Sequence, residues 1–306
     1  MGKSVWIAGT ACVNAQVGEP SPNTPPPVRM EELQQLLKED GGSLKNLAKS
    51  LLGEDNANRF FYFPTHDEPA TPAKWGFKYE DVKFESTDGT SLHGWFLPAK
   101  RELKGTVVFS HGNAGSLGHH IGFVMWMVDA GYNVFMYDYR GFGKSGGEVN
   151  RPGMLEDVKS AFAYVAARPD VDAAKLVSYG HSLGGAKSVT AIAEGKIIGL
   201  KAVVIDGTFA SYRAMARVVG GQLGADLITD EFSPKDFIGK ITGMPVLVIH
   251  GDRDEVVPFS QGKQLFDLAN EPKTLFEVKD GSHGDSLARN NGAYRKRMLE
   301  WLDGVM

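Results

Sequence analysis

Cysteine is nearly absent from this chain: Cys12 is the single one among 306 residues. A disulfide within the chain is therefore impossible, and a cysteine-based zinc site is excluded. Charge of one sign is also lacking. The net charge is -4 and no basic run stands out, so there is no electrostatic footprint for nucleic acid. Long apolar runs are missing as well. The best, residues 5–13, is broken by Gly9 and Thr10 and falls far short of the about 18 residues needed to cross a bilayer. No internal repeat is evident, and low complexity is confined to one proline stretch.

A hydrophobic content of 42% against 23% charged is enough to bury a sheet on both faces. The first 58 residues read as an extension. Lys3 and the short apolar run before Val13-Asn14-Ala15 resemble a weak signal sequence. Ala11-Cys12 offers a lipoprotein box instead, and a partly buried extension is the third reading. These place the chain in the cytoplasm or in the envelope, with membrane association expected only through this stretch. Pro20, Pro22, Pro25, Pro26 and Pro27 make residues 18–28 an extended linker. Leucines at helical spacing in residues 30–52, interrupted by Gly41-Gly42, read as two short amphipathic helices. The aromatic run of residues 59–64 is expected to plug into the body that follows.

From Tyr79 the pattern becomes regular. Residues 82–86 and 91–97 are strand runs joined by an Asp88-Gly89 turn. Strand and helix signals then alternate: strands at 106–110, 133–137, 176–179, 202–206, 245–250 and 274–278, helices at 117–130, 154–167, 260–269 and 294–302. Continuous apolar strands such as Val246-Leu247-Val248-Ile249 belong in a parallel sheet covered on both faces. The pattern predicts an α/β fold with about eight mostly parallel strands flanked by helices.

Within that order, Gly180-His181-Ser182-Leu183-Gly184 lies between a strand and a run of small helical residues. Gly-x-Ser-x-Gly at such a junction is a nucleophile elbow, whose turn is too tight for side chains and whose serine is thrust clear of the sheet. A serine needs a base, and the base needs an orienting acid. Both are expected after later strands, acid before base. Asp254, three residues beyond His250-Gly251, is the favoured acid, with Asp252 and Asp206 as rivals. His283, after the last strand, is the base; His250 comes too early in the chain. Two backbone donors should hold the developing oxyanion. Leu183 N–H is one. Asn113, in His111-Gly112-Asn113-Ala114-Gly115, is chosen for the other, with Ala114 as the alternative.

His111, His119 and His120 lack spaced carboxylates, so no metal is expected. Gly141-Phe142-Gly143-Lys144-Ser145-Gly146 mimics a dinucleotide fingerprint, but Gly147 and Pro152 delay the helix that should open there. Asp138 stands where a P-loop needs its first glycine. No cofactor is implied.

With these residues placed, the chain from about Phe60 onward resembles the α/β-hydrolase superfamily. It is most similar to small bacterial hydrolases of the prolyl-oligopeptidase-like group, whose eukaryotic relatives include protein depalmitoylases. The likeness is carried by Asp88-Gly89-Thr90, Gly94-Trp95-Phe96, residues 111–115, residues 138–145, the elbow, residues 206–211, and His250-Gly251 with Asp254. It implies Ser182, Asp254 and His283 as the triad, and residues 139–145 as a structural loop. Glutamine often precedes the serine in that group, where this chain has His181; residues 30–52 have no counterpart there.

The resulting expectation is a catalytic domain over residues 59–306 with a small helical cap over residues 207–244. Such a cap leaves a fairly open site. The expected activity is that of a serine carboxylesterase (EC 3.1.1) acting on small to medium esters or thioesters through an acyl-enzyme. The alternatives are an aminopeptidase-like amide hydrolase, which the missing propeller domain disfavours, and a non-catalytic ligand-binding protein on the same scaffold. The partner is a small ester or acyl substrate.

Overall fold

A computed structural model describes residues 61–195 and 197–306. The signal-like stretch, the proline linker and the amphipathic run of residues 30–52 lie outside the described residues. Eight strands form the main sheet: β1 (Glu80–Glu85), β2 (Ser91–Leu97), β3 (Gly105–Ser110), β4 (Tyr132–Asp138), β5 (Leu176–His181), β6 (Leu200–Asp206), β7 (Val246–Gly251) and β8 (Lys273–Val278). Their spatial order is β1-β2-β4-β3-β5-β6-β7-β8. β2 runs antiparallel to β1 and β4, and every other pairing is parallel. The longer helices are α1 (Arg151–Ala166), α2 (Leu183–Ala193), α3 (Tyr212–Leu227), α4 (Phe259–Leu268) and α5 (Arg289–Asp303).

The apolar strand runs now have a reason. Successive residues face opposite sides of a strand. In β4, Phe135 and Tyr137 enter one core with Met154, Val158 and Phe162 of α1, whereas Val134 and Met136 enter another with Met298 and Leu302 of α5. In β7, Val246 and Val248 pack with Leu265 of α4, and Leu247 and Ile249 join the α5 side. Both faces are dry, so neither can alternate with polar residues.

One helix departs from expectation. In place of a single helix over 117–130 there are two short ones, Leu117–His120 and Trp126–Asp129, with a 3-10 turn at Ile121–Phe123 between them. Gly118 explains part of it: a Cβ there would lie 2.9 Å from the carbonyl oxygen of Ala70, so the segment trades helix propensity for close backbone approach. Between β6 and β7, α3 is interrupted at Gly221 (φ 61°, ψ -152°) and followed by 3-10 turns at Pro234–Asp236 and Ile238–Lys240. Asp230 knots the two ends of this insertion. It accepts from the Ser211 and Ser233 hydroxyls, both at 2.6 Å, and from the Arg213 N–H at 3.1 Å.

After β4 the chain turns through residues 139–147, pinned by buried Arg140. Its guanidinium donates to Asp157 of α1 (2.8 Å), to Asp88 in the β1–β2 turn (2.7 Å) and to Ser86 (3.1 Å). The glycines of this loop precede the start of α1 at Arg151 instead of opening it. Removing one member of a buried ion pair strands the other charge. Asp157→Ala should therefore lower unfolding free energy by about 3–5 kcal/mol, measured by urea titration; a loss under about 1 kcal/mol would show that Asp88 alone suffices for Arg140.

Candidate active site

Ser182 sits where β5 ends and α2 begins, with φ 53° and ψ -116°. Such a positive φ is costly for a serine and persists only where the surroundings enforce it. Here they do. A Cβ on Gly180 would lie 2.5 Å from Gly185 Cα, and one on Gly184 would lie 1.9 Å from the carbonyl oxygen of Ser110. Only glycines let strand and helix close this tightly. The Ser182 N–H donates to the Asp206 carbonyl at 2.8 Å, which ties the elbow to the end of β6.

Asp254 lies in the loop after β7. Its Oδ1 accepts the N–H groups of Val256 (2.9 Å) and Val257 (2.7 Å), and its Oδ2 faces His283 Nδ1 at 2.8 Å. Buried His250 donates from Nε2 to the Val257 carbonyl at 2.8 Å and has that nitrogen 3.3 Å from Asp254 Oδ2. Burial by itself raises the Asp254 pKa, but the bonds from His250 and His283 outweigh it and hold the carboxyl below the ordinary aspartate range. The residue is therefore a carboxylate near pH 7.

The two rival acids go elsewhere. Asp252 pairs with Lys279 at 3.2 Å. Asp206 accepts from the Tyr179 hydroxyl at 3.3 Å and lies 3.7 Å from His181 Nδ1. Thus Asp254 is the carboxylate in contact with His283. Gly207, directly after Asp206, is the floor beneath this pair: its missing Cβ would lie 3.2 Å from His283 Nδ1 and 3.5 Å from Asp254 Oδ2. Sequence reasoning passed over Gly207, although a glycine immediately beyond a strand end is the signal of such an approach. It also passed over the contact of His181 with His283, ring centroids 4.9 Å apart.

Loop 111–115 leaves β3 and abuts the first turn of α2 through Ser110 and Gly184. The Asn113 carbonyl accepts from the Phe63 N–H at 3.1 Å, and the Ala114 carbonyl is 2.7 Å from His120 Nε2. Phe63–Pro64 thereby forms a short parallel ladder with Ala114–Gly115. Leu183 opens α2, ahead of the first hydrogen bond within the helix, so its N–H is available to a ligand. His111 and His120 stack at 5.0 Å, and burial pushes the pKa of each down to about 3, so both are neutral near pH 7. Among the described residues no group of three or more His, Cys, Asp or Glu is arranged to hold a metal ion.

Comparison with known proteins bears on this arrangement. The family Hydrolase_4, described as serine aminopeptidase, S33, matches residues 101–227. The uncharacterized protein YfhR of Escherichia coli strain K12 is 38% identical over 251 residues, covering 80% of this chain and 87% of the relative. The alpha/beta hydrolase domain-containing protein WAV2 of Arabidopsis thaliana is 33% identical over 253 residues, covering 77% and 82%. The chain belongs to the α/β-hydrolase superfamily. Among solved structures, the Pyrococcus furiosus esterase Pf2001 superposes on this chain with a TM-score of 0.69 at 20% identity, covering 80% of this chain and 98% of that one. At that identity the likeness speaks for the fold.

An aspartate titrates near 3.9 in an unfolded chain, about where its protonation begins to matter. With the native Asp254 value lower, its contribution to stability is complete above that pH and is lost as pH falls through the native value. Asp254→Asn should therefore flatten the loss of stability on acidification below about pH 4, followed by urea unfolding across a pH series. An unchanged slope would show that the carboxyl is not held by these bonds.

Proposed function

We propose that this hydrolase is a serine carboxylester hydrolase working through an acyl-enzyme. The observation that carries the proposal is the 2.8 Å contact of His283 Nδ1 with Asp254, placed over Gly207 beside the strained Ser182 elbow. In this reading His283 takes the Ser182 proton as Oγ attacks the acyl carbon. The carbonyl π electrons move to oxygen, and the N–H groups of Leu183 and Asn113 hold the resulting charge. His283 then returns the proton to the departing alcohol. Water, activated by the same imidazole, releases the acid. Asp254 keeps the imidazole in the tautomer that leaves Nε2 free to act.

We assign the catalytic unit to residues 59–306 and a cap to residues 207–244. The cap offers one helix, broken at Gly221, which supports small to medium esters or thioesters as substrates. A second reading, hydrolysis of aminoacyl amides, is favoured by the family description at residues 101–227. Matched esters and amides of the same acyl group separate the two: faster amide turnover would overturn the ester assignment.

Intact mass after fluorophosphonate treatment should show one adduct on the wild type and none on Ser182→Ala. In an ester panel, Ser182→Ala and His283→Ala should each lower kcat by at least about 10³-fold, with KM little changed. No adduct on folded wild type would remove the serine mechanism and leave a ligand-binding protein.

A further inference from the structure

Behind the candidate base lies a second histidine–carboxylate pair. His181 is buried in the site wall with its ring stacked on Phe123 at 4.2 Å and tilted against His283 at 4.9 Å. Its Cδ2 would be 3.4 Å from a Cβ on Gly112, so the same ring also borders the loop that carries Asn113. Its Nδ1 edge faces Asp206 Oδ2 at 3.7 Å. Asp206 is itself buried. One of its oxygens has the Tyr179 hydroxyl, whereas Oδ1 has no hydrogen-bond partner, nor has His181 Nδ1. Burial pushes the His181 pKa down, which keeps this ring neutral beside a base that must become cationic.

We infer that His181 and Asp206 form a positioning pair for His283: the His181 ring sets the face against which His283 lies, and the Asp206 carboxylate behind it stabilises the imidazolium. This rests on the reading of Ser182 and His283 given above. The other titratable groups near the two rings are Asp254 and His250 from the β7 side, His120 from the turn after β3, Tyr179 from β5, and Arg295 from α5, which acts on Tyr179. Asp254 binds the Nδ1 edge of His283, and Asp206 has no direct contact with that ring, so its charge acts on His283 across the His181 ring. A negative charge near an imidazole favours its protonated form. Removing that charge should therefore move the titration of His283 to lower pH.

The test is the His283 imidazole titration, followed by NMR in the full-length protein, beside the pH dependence of fluorophosphonate labelling. In Asp206→Asn, which keeps the Tyr179 contact, both the His283 midpoint and the acid limb of labelling should fall by about half to one pH unit. His181→Phe keeps an aromatic face against His283 and leaves the Asp206 charge in place, so both should stay close to the wild type. Should Asp206→Asn fail to fold, Asp206→Ser removes the same charge. A His283 midpoint unmoved in folded Asp206→Asn or Asp206→Ser would reduce His181 and Asp206 to packing residues. Wild type that titrates normally but never forms an adduct would count against Ser182 as nucleophile, while the NMR shift would still decide the role of His181 and Asp206.

Discussion

The site depends on a steric constraint: a strand and a helix packed so closely that no side chain fits between them. Gly180 against Gly185, and Gly184 against the backbone of Ser110, leave the intervening residue a single way round the corner. That way is the positive φ of Ser182. The strain costs of order 1–3 kcal/mol, and the buried strands on either side supply it. Because β5 lies between β3 and β6, the same packing delivers the two neighbouring strand ends, with their loops, to the serine.

The carboxyl ends of the parallel strands therefore act as a jig. β3 brings the 111–115 loop, β6 brings Asp206 and Gly207, and β7 and β8 bring Asp254 and His283 from residues far apart in the chain. Each loop is fastened by its own bonds. The amides of Val256 and Val257 hold Asp254, and Asp285 accepts the Ser282 N–H beside His283 at 2.8 Å. The surroundings also distinguish the histidines. His111 and His120 are kept neutral by burial, whereas His283 sits on a carboxylate.

Much of this was legible before any coordinates. Period-two burial on both faces made the strands conspicuous as apolar runs, and chain order together with strand ends singled out Asp254 and His283. What escaped had no local signature. The close approach of Gly118 to the Ala70 backbone, about fifty residues away, is contained in no window around Gly118. Gly207 looks like any loop glycine until Asp254 and His283 are folded over it. The destination of Asp206 depends on which histidine reaches it, and in the chain His181 and His283 are a hundred residues apart.

The ladder between Phe63–Pro64 and Ala114–Gly115 recasts what counts as the working unit of this protein. Those two residues contribute no side chain to the chemistry. Yet the Phe63 N–H occupies the Asn113 carbonyl, and by doing so it fixes the Asn113–Ala114 peptide plane in that loop. The loop after β3 is thus held from outside the region matched by the family, which begins at residue 101. A shortened chain could retain Ser182, His283 and Asp254 and still have lost the splint on the loop beside them.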